Sequence, residues 1–324
     1  MKPILLGPNQ PPQFYRGGAA IARFRGLSPT GDRVPEDWIA STTSRFGNPD
    51  HGATTLSDGR LLRDAVAADP RPFLGPAHIA RFGADPGLLV KLLDVGEHLP
   101  VHAHPDRGFA RVHLGSRYGK SEAWFVIEAE EGAHVHVGFR EDVDRAVLAD
   151  WAAREDADAM LAALHRLEVA PGDCVYVPAG TPHAIGADVL LLEVQEPSDF
   201  GVLLEWSRFG LDVRDASMGL AFEEALECVR RTAVGEDELA SWGGFALPEA
   251  SRSFFRAEWL RPQPSLAIER CYSVLVVIEG TGRLETEAGV VELARGCTLL
   301  VPYDAGESEL TGRLTAIRCA PPRP

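Results

Sequence analysis

Short apolar runs separated by glycine and proline turns make up most of this chain. Runs of four to eight residues that are rich in aliphatic and aromatic side chains and are bounded by turn residues are typical of β-strands. The 32 glycines and 24 prolines supply such boundaries along the whole length. The clearest strands that the pattern predicts in the first part of the chain are 88–94, 123–127, 133–137, 190–194 and 202–206.

Three segments have a helical period instead. In residues 140–167 apolar side chains such as Val147 and Trp151 recur every three or four residues, which predicts one or two short amphipathic helices. Residues 60–69 have the same spacing and end before a proline. Residues 215–245 also contain apolar residues at helical spacing and predict a helix-rich linker. The strands are therefore interrupted by helices at defined places.

Two histidine-containing motifs stand out among the predicted strands. Gly96 is followed, after five residues, by His102-Ala-His104. Gly172 is likewise followed, after five residues, by a Pro-Ala-Gly turn, and His183 comes after two more residues. Residues two apart on a strand point to the same face, so His102 and His104 are expected to share one space. A turn and a short paired strand would bring His183 to them.

Glu122 is the fourth candidate ligand, at the start of the predicted strand that follows Lys120. Three imidazoles and one carboxylate are a ligand set for a first-row transition metal. The predicted metal ligands are therefore His102, His104, Glu122 and His183. His134 and His136 also share a strand face, but no further ligand is spaced to join them, and we predict that they are ordinary strand residues.

The order and spacing of the two motifs resemble the paired signature of the cupin superfamily, whose β-barrels hold a metal inside a jelly roll. Residues 251–324 repeat the same alternation of strands and glycine turns, a weak internal repeat. The resemblance implies an all-β-dominated fold of two cupin jelly-roll barrels, with a helical insert in the first barrel and a short helical linker. We predict a metal-binding domain at 1–232, with its insert at about 140–167, and a metal-free domain at 233–324, because no histidine follows His183.

Composition and charge narrow the possible partners. The net charge of -15 argues against binding to nucleic acid or to an anionic membrane surface. Five cysteines without a C-x-x-C motif indicate reduced thiols, and the first residues are too weakly apolar for a signal peptide, so we expect a cytoplasmic protein. The predicted partner is a small molecule, and the sequence gives no indication of the oligomeric state.

Further motifs resemble the type I phosphomannose isomerase family, in its short bacterial form with two cupin domains. The likeness covers nearly the whole chain, and the segments that carry it are 72–75, 88–94, 104–106, 119–124, 171–173, 177–186 and 192–199. This resemblance implies a bound zinc ion and an aldose–ketose isomerisation of a sugar 6-phosphate, by default the mannose 6-phosphate and fructose 6-phosphate pair. It also implies that Lys120 is an active-site lysine that contacts substrate, alongside Glu122.

Three positions depart from the family pattern. His102 stands where the family usually has glutamine, which keeps a neutral ligand and widens the metal choice from zinc to iron, manganese or nickel. Leu203 lies near the place of a catalytic arginine, and Arg208 is the next arginine along the chain. Arg107 replaces a second aspartate and is a candidate for substrate binding. These departures leave open an unphosphorylated sugar as substrate.

Two other classes of function also remain open. The first is another cupin metalloenzyme, such as a dioxygenase, an epimerase or a lyase, and bound redox-active iron would favour it. The second is a sugar-binding regulator that has lost catalysis through Leu203. The leading prediction from the sequence is a metal-dependent sugar isomerase with Lys120, Glu122 and Arg208 as candidate catalytic residues.

Overall fold

The structure is a computed structural model that describes residues 1–324. Its strands are β1 (Ile4–Leu5), β2 (Glu36–Ile39), β3 (Leu89–Val95), β4 (His102–Ala103), β5 (Glu122–Ala129), β6 (His134–Phe139), β7 (Leu164–Glu168), β8 (Cys174–Val177), β9 (His183–Ile185), β10 (Val189–Gln195), β11 (Val202–Leu203), β12 (Gly243–Gly244), β13 (Arg256–Leu260), β14 (Ser265–Ile268), β15 (Ser273–Thr286), β16 (Gly289–Ala294), β17 (Thr298–Val301) and β18 (Ser308–Ala320). The predicted strand-dominated class is confirmed.

The helices are short and lie between groups of strands. They are α1 (Ala19–Arg25), α2 (Leu62–Ala68), α3 (Pro70–Leu74), α4 (Pro76–Phe82), α5 (Arg107–His113), α6 (Arg145–Ala153), α7 (Ala157–Ala163), α8 (Val213–Ala216), α9 (Phe222–Ala225) and α10 (Glu236–Trp242), with four 3₁₀ turns besides. None of these helices has both the length and the apolar character that a membrane crossing requires.

Two antiparallel sheets form the first β unit. One has the order β12-β8-β5-β10-β3-β2 and the other β11-β4-β9-β6-β7. Side chains of both sheets, including Trp124 and Val135, belong to one apolar core. The central strands β3 and β10 are buried along their whole length, which explains why their sequences read as nearly continuous apolar runs. Lys91 and Glu193 are polar exceptions within these two strands, and both line the site described below.

A single seven-stranded sheet forms the second β unit. Its path is β1-β17-β15-β18-β13, and β14 and β16 pair with β18 and β15 off this path. The long strand β15 pairs with β18 over most of its length, with a register shift between Val277 and Glu279. A separate apolar cluster that includes Leu275, Leu299 and Leu310 stabilises this sheet.

The helical insert and the linker appear where the sequence predicted them, as α6 and α7 and as the short helices α8 to α10. The predicted strand 202–206 is shorter than expected, because only Val202–Leu203 pairs with β4. Two pairings cross the predicted domain boundary at 232/233. Strand β1 pairs with β17 of the second sheet, and β12 pairs with β8 of the first. The boundary itself remains a prediction.

Candidate active site

Three histidine side chains meet between the two sheets of the first β unit. His102 on β4 and His183 on β9 are directly opposite each other in the antiparallel register, and His104 follows two residues after His102. The ring centroids are 4.1 to 4.9 Å apart. One ring nitrogen from each of the three lies within 4.8 Å of the others. Strand pairing thus produces the cluster that the His-x-His motif predicted.

Each imidazole is oriented by a backbone carbonyl. The Nδ1 atoms of His102, His104 and His183 donate hydrogen bonds to carbonyl oxygens at 2.8, 2.6 and 2.8 Å, respectively. A carbonyl oxygen can only accept, so Nδ1 carries the proton in each neutral ring, and Nε2 presents a lone pair. This tautomer is the one that metal-binding histidines adopt when an outer hydrogen bond fixes the ring.

Glu122 reaches the histidine cluster from the facing sheet. Its Oε2 lies 3.1 Å from Nε2 of His104, and its Oε1 lies 3.3 Å from Nε2 of His183. Burial alone would raise the pKa of Glu122, but nearby Lys120 and His104 hold it well below its usual range. Burial, reinforced by the charge of Lys120, lowers the pKa of His104 to about 3. At neutral pH the cluster therefore combines the neutral imidazole of His104 with the ionised carboxylate of Glu122.

This cluster fits a divalent metal ion by the chemistry of its donors. Nε2 of His183 is buried and has no hydrogen-bond partner, which is costly for a polar atom unless another group satisfies it. A borderline-soft first-row metal prefers this mixture of imidazole nitrogen and carboxylate oxygen. All four predicted ligands are brought together, and the assignment of a metal to them remains a prediction.

Lys120 is buried beside the predicted ligands. Its Nζ donates to Nε2 of His104 at 3.0 Å and lies 2.9 Å from Oε2 of Glu122. The turn before it is tight, because a Cβ on Gly119 would lie 2.5 Å from the carbonyl oxygen of Pro105. The backbone N–H of Lys120 donates to that same oxygen at 2.9 Å. Glycine at 119 thus permits the close approach that directs the ammonium group inward.

A second buried ammonium group lies beside the first. Lys91 Nζ is 3.4, 3.6 and 3.8 Å from carboxylate oxygens of Glu36, Glu193 and Asp199, and it lies 4.6 Å from the centroid of the Trp38 ring. Lys91 and Lys120 thus belong to one buried cluster of two ammonium groups and four carboxylates, those of Glu36, Glu122, Glu193 and Asp199. When fully ionised it carries two excess negative charges, which a divalent cation would balance.

The cavity above these groups has a volume of about 520 Å³. Its polar lining includes the four predicted ligands, both buried lysines and the carboxylates of Glu36, Glu193 and Asp199. Apolar side chains contributed from several elements, among them Phe14 and Met218, complete the wall. A concave, partly apolar pocket with a few converging polar groups is typical of a binding site for a small molecule.

Similar proteins connect this geometry with known enzymes. No model of a protein family matches the chain. Mannose-6-phosphate isomerase ManA of Bacillus subtilis is 29% identical over 310 residues, which cover 91% of this chain and 92% of that protein. The mannose-6-phosphate isomerase of Streptococcus mutans is 28% identical, and the alignment covers 93% of each chain.

These relatives confirm the predicted resemblance to the type I phosphomannose isomerase family. The fold of this chain agrees with solved structures of that group. A crystal structure of the mannose 6-phosphate isomerase from Bacillus subtilis superposes with a TM-score of 0.79 at 24% identity, covering 98% of this chain and 99% of the other. A mannose 6-phosphate isomerase structure bound with zinc and yttrium has a TM-score of 0.74 at 16% identity, covering 99% and 100%.

Two arginines that the family comparison made candidates lie outside the cavity lining. Arg107 on α5 forms an ion pair with Glu196, with Nε 2.6 Å from Oε1. Its guanidinium carbon also lies 4.7 Å from the centroid of the Phe254 ring. Arg208 lies in a 3₁₀ turn, half exposed, over the Phe209 ring at 4.6 Å. The pairing of Arg107 with distant residues could not be read from the sequence.

Leu203 does line the cavity, at the position near the family arginine. Its side chain is buried on β11, which pairs with β4 so that Leu203 lies opposite His102. The cavity therefore has an apolar surface beside the predicted metal ligands. The departure noted in the sequence lies within the site and not at its edge.

Several cavity residues were missed by reasoning from the sequence. Glu193 and Asp199 lie in the segment 192–199 that carried the family resemblance, and a charged residue inside an otherwise apolar strand is a signal that could have identified Glu193. Arg45 and Arg214 also line the cavity, from a loop and from α8, and no periodic pattern marks either of them.

Proposed function

We propose that this chain is a metal-dependent aldose–ketose isomerase that acts on a sugar 6-phosphate, with mannose 6-phosphate and fructose 6-phosphate as the default pair. The observation that carries the proposal is the convergence of three Nε2 lone pairs and the Glu122 carboxylate beside Lys120 in one cavity. The curated relatives named above are mannose-6-phosphate isomerases, which supports the same reaction.

His102, His104, Glu122 and His183 are the residues that would hold the metal. Zinc is our first choice, since a related structure is described as bound with zinc, and iron, manganese and nickel suit the same donors. A divalent ion in this position would act as a Lewis acid toward the oxygen atoms at C1 and C2 of the sugar.

The isomerisation of an aldose to a ketose moves a hydrogen from C2 to C1 and a proton from O2 to O1, with no net gain or loss. We assign to Lys120 the stabilisation of negative charge that develops on the sugar oxygen, because its ammonium group lines the cavity beside Glu122. The carboxyl of Asp199 faces the same cavity and is our candidate for carrying the proton between the two carbons.

The surroundings of Asp199 suit that role. Burial raises its pKa above the ordinary value, although Lys91 at 3.8 Å opposes the rise. Its Oδ2 accepts a hydrogen bond from the backbone of Phe46 at 3.0 Å, which fixes the carboxyl at the cavity wall. A raised pKa makes a carboxylate a stronger base than an ordinary aspartate, which suits a group that takes a proton from one carbon and returns it to the next.

A sugar-binding protein without turnover is a second candidate, favoured by one observation. Leu203 lines the cavity where the family pattern has a catalytic arginine, so a charged group expected near the reacting atoms is absent. In that case the metal-loaded protein would bind the sugar phosphate without converting it, and Leu203→Arg would introduce activity.

The experiment that tests the proposed function begins with elemental analysis of the purified chain. The protein is then stripped with a chelator, reloaded with zinc and assayed on mannose 6-phosphate and on mannose. We expect near-stoichiometric metal and turnover that is lost on stripping and restored by zinc. Lys120→Met and Asp199→Asn should each lower kcat by roughly a hundredfold or more, the range expected for groups that act on the transition state.

Metal binding without turnover of either sugar would refute the isomerase and favour the binding protein. Oxygen consumption by an iron-loaded protein would favour another cupin reaction. Turnover that survives complete removal of metal would refute the role of the four predicted ligands.

A further inference from the structure

Four cationic side chains line the cavity, and they differ in how far their charge is already balanced. Lys91 and Lys120 are buried among carboxylates, at 3.4 Å from Glu36 and 2.9 Å from Glu122 for the nearest pairs. Arg45 and Arg214 have no carboxylate within 4.0 Å. Only the two arginines therefore present charge in the cavity that nothing in the protein has neutralised.

Arg45 is held in place by its backbone. It lies in the loop between β2 and α2, where its N–H donates to the carbonyl of His51 and its carbonyl accepts from Asn48. Its only side-chain hydrogen bond is from one guanidinium nitrogen to the carbonyl of Pro12 at 2.7 Å. The remaining N–H groups of the half-buried guanidinium are left for a ligand.

Arg214 lines the same cavity from α8 of the linker. The capping box formed by Asp212 and Asp215 fixes the start of this helix. The guanidinium of Arg214 is exposed and makes no hydrogen bond or ion pair with another side chain. Arg117 is also exposed, but its guanidinium is paired with Asp85 at 2.9 Å.

We propose that Arg45 and Arg214 bind the phosphoryl group of the substrate, so that the cavity selects a sugar phosphate over the free sugar. This inference rests on the proposed function for the sugar end, which faces the predicted metal ligands. A planar guanidinium binds phosphate oxygens through two parallel hydrogen bonds, and two such groups are a common way to hold a phosphate dianion.

Charge and size both support this assignment. The chain carries a net charge of -15, so a phosphate must be met by local cations. A sphere of the cavity's 520 Å³ is about 10 Å across, within the ordinary range for sites that hold one small metabolite. The sugar end and the phosphate end can therefore be held at opposite parts of one cavity.

The test measures binding and turnover separately on the zinc-loaded chain. Calorimetry with mannose 6-phosphate, mannose and inorganic phosphate is carried out on wild type, Arg45→Gln, Arg214→Gln and the double variant. We expect each single change to weaken mannose 6-phosphate binding by roughly tenfold and the double change by roughly a hundredfold, with mannose binding unchanged. Arg81→Gln is the matched control, because Arg81 is also exposed and without a carboxylate partner but lies outside the cavity.

The outcomes separate this inference from the proposed function. Isomerase activity on mannose 6-phosphate whose KM is the same in the double variant would overturn the phosphate site and leave the isomerase standing. A wild type that binds the sugar phosphate no better than the free sugar would also overturn it. A preference for the phosphate that disappears in the double variant, in a protein without turnover, would support the site and refute the isomerase.

Discussion

Replacing Lys91 by methionine is the sharpest test of how the buried charges are held. Methionine has nearly the same length, so the apolar packing of β3 is kept while the charge is removed. Three carboxylates within 3.4 to 3.8 Å of Nζ then lose their common partner. Lys91 and Glu193 are only 3 to 4% exposed, so water cannot take the place of the ammonium group.

Removing one partner of a buried ion pair costs about 3–5 kcal/mol, because the remaining charge stays buried without compensation. The ammonium group also lies over the Trp38 ring at 4.6 Å, a contact worth about 2 kcal/mol when desolvated, which favours the upper end of this range. We therefore expect Lys91→Met to lower the free energy of unfolding by about 3–5 kcal/mol at neutral pH. For a typical domain that is a large part of the total stability.

The loss should depend on pH in a defined direction. In the wild type, burial would raise the pKa of Glu36, but Lys91 and two hydrogen bonds hold it below the ordinary value of 4.5. A lowered acid pKa contributes stability that is present above 4.5 and disappears as pH falls through the folded value. Without Lys91 the carboxyls take up protons more readily, so the difference between the two proteins should shrink on acidification below 4.5.

Urea unfolding across a pH series measures this difference directly. Lys2→Met is the matched control, since Lys2 is exposed and the chemical change is identical. A Lys91→Met protein that is as stable as this control at neutral pH would refute the reasoning. So would a loss of stability that stays constant, or grows, as the carboxyls are protonated.

Three further results are expected. Glu205 is buried and accepts a hydrogen bond from the backbone N–H of Val101 at 2.8 Å. Glu205→Leu should therefore lower the free energy of unfolding in urea by about 1–3 kcal/mol, and Glu205→Gln should lower it clearly less. Equal losses in the two variants would argue against that hydrogen bond. Zinc at a hundredfold excess over its Kd should stabilise wild type by about 2.7 kcal/mol and His183→Ala far less, and equal thermal shifts would exclude His183 as a ligand. Gly119→Ala places a Cβ 2.5 Å from a backbone oxygen and should lower both stability and kcat/KM, while Gly7→Ala, which meets nothing within 4 Å, should change neither.

The predicted ligands were within reach of the sequence because strand geometry fixes them locally. The His102-x-His104 spacing determines a common face, and glycine turns delimit the strands on which these residues and His183 lie. The helices α6 and α7 were equally accessible, since an apolar stripe at helical spacing is a local property.

The rest of the cavity depends on contacts between distant segments. Arg45 reaches it from a loop with no periodic pattern, and Arg214 from a helix of one turn. Arg107 had the right chemistry for a substrate contact, but its guanidinium pairs with Glu196, which lies 89 residues away in sequence. Which arginine meets a carboxylate is decided by long-range packing, and the sequence alone contains no local signal for it.

The edge pairings of the two β units were unpredictable for a similar reason. Strand β1 has two residues, too few for a hydrophobic pattern, yet it pairs with β17 almost three hundred residues away. Strand β12 consists of two glycines and pairs with β8 through backbone groups only. Such pairings connect each unit to a segment that the linear order assigns to the other.

The placement of the lysines allows the cavity to be probed by chemical modification of amines. Lys2, Lys91 and Lys120 are the only lysines of the chain, because arginine supplies all other cationic side chains. Lys2 is exposed at the N-terminus, and the other two are enclosed in the cavity. An amine-directed reagent would therefore modify the N-terminal region freely and would reach the interior only when the cavity admits it. Burial opposes the charge on Lys91, but the surrounding carboxylates raise its pKa and keep it protonated and unreactive. Protection of Lys120 by a sugar phosphate thus becomes a footprint of occupancy that needs no assay of turnover.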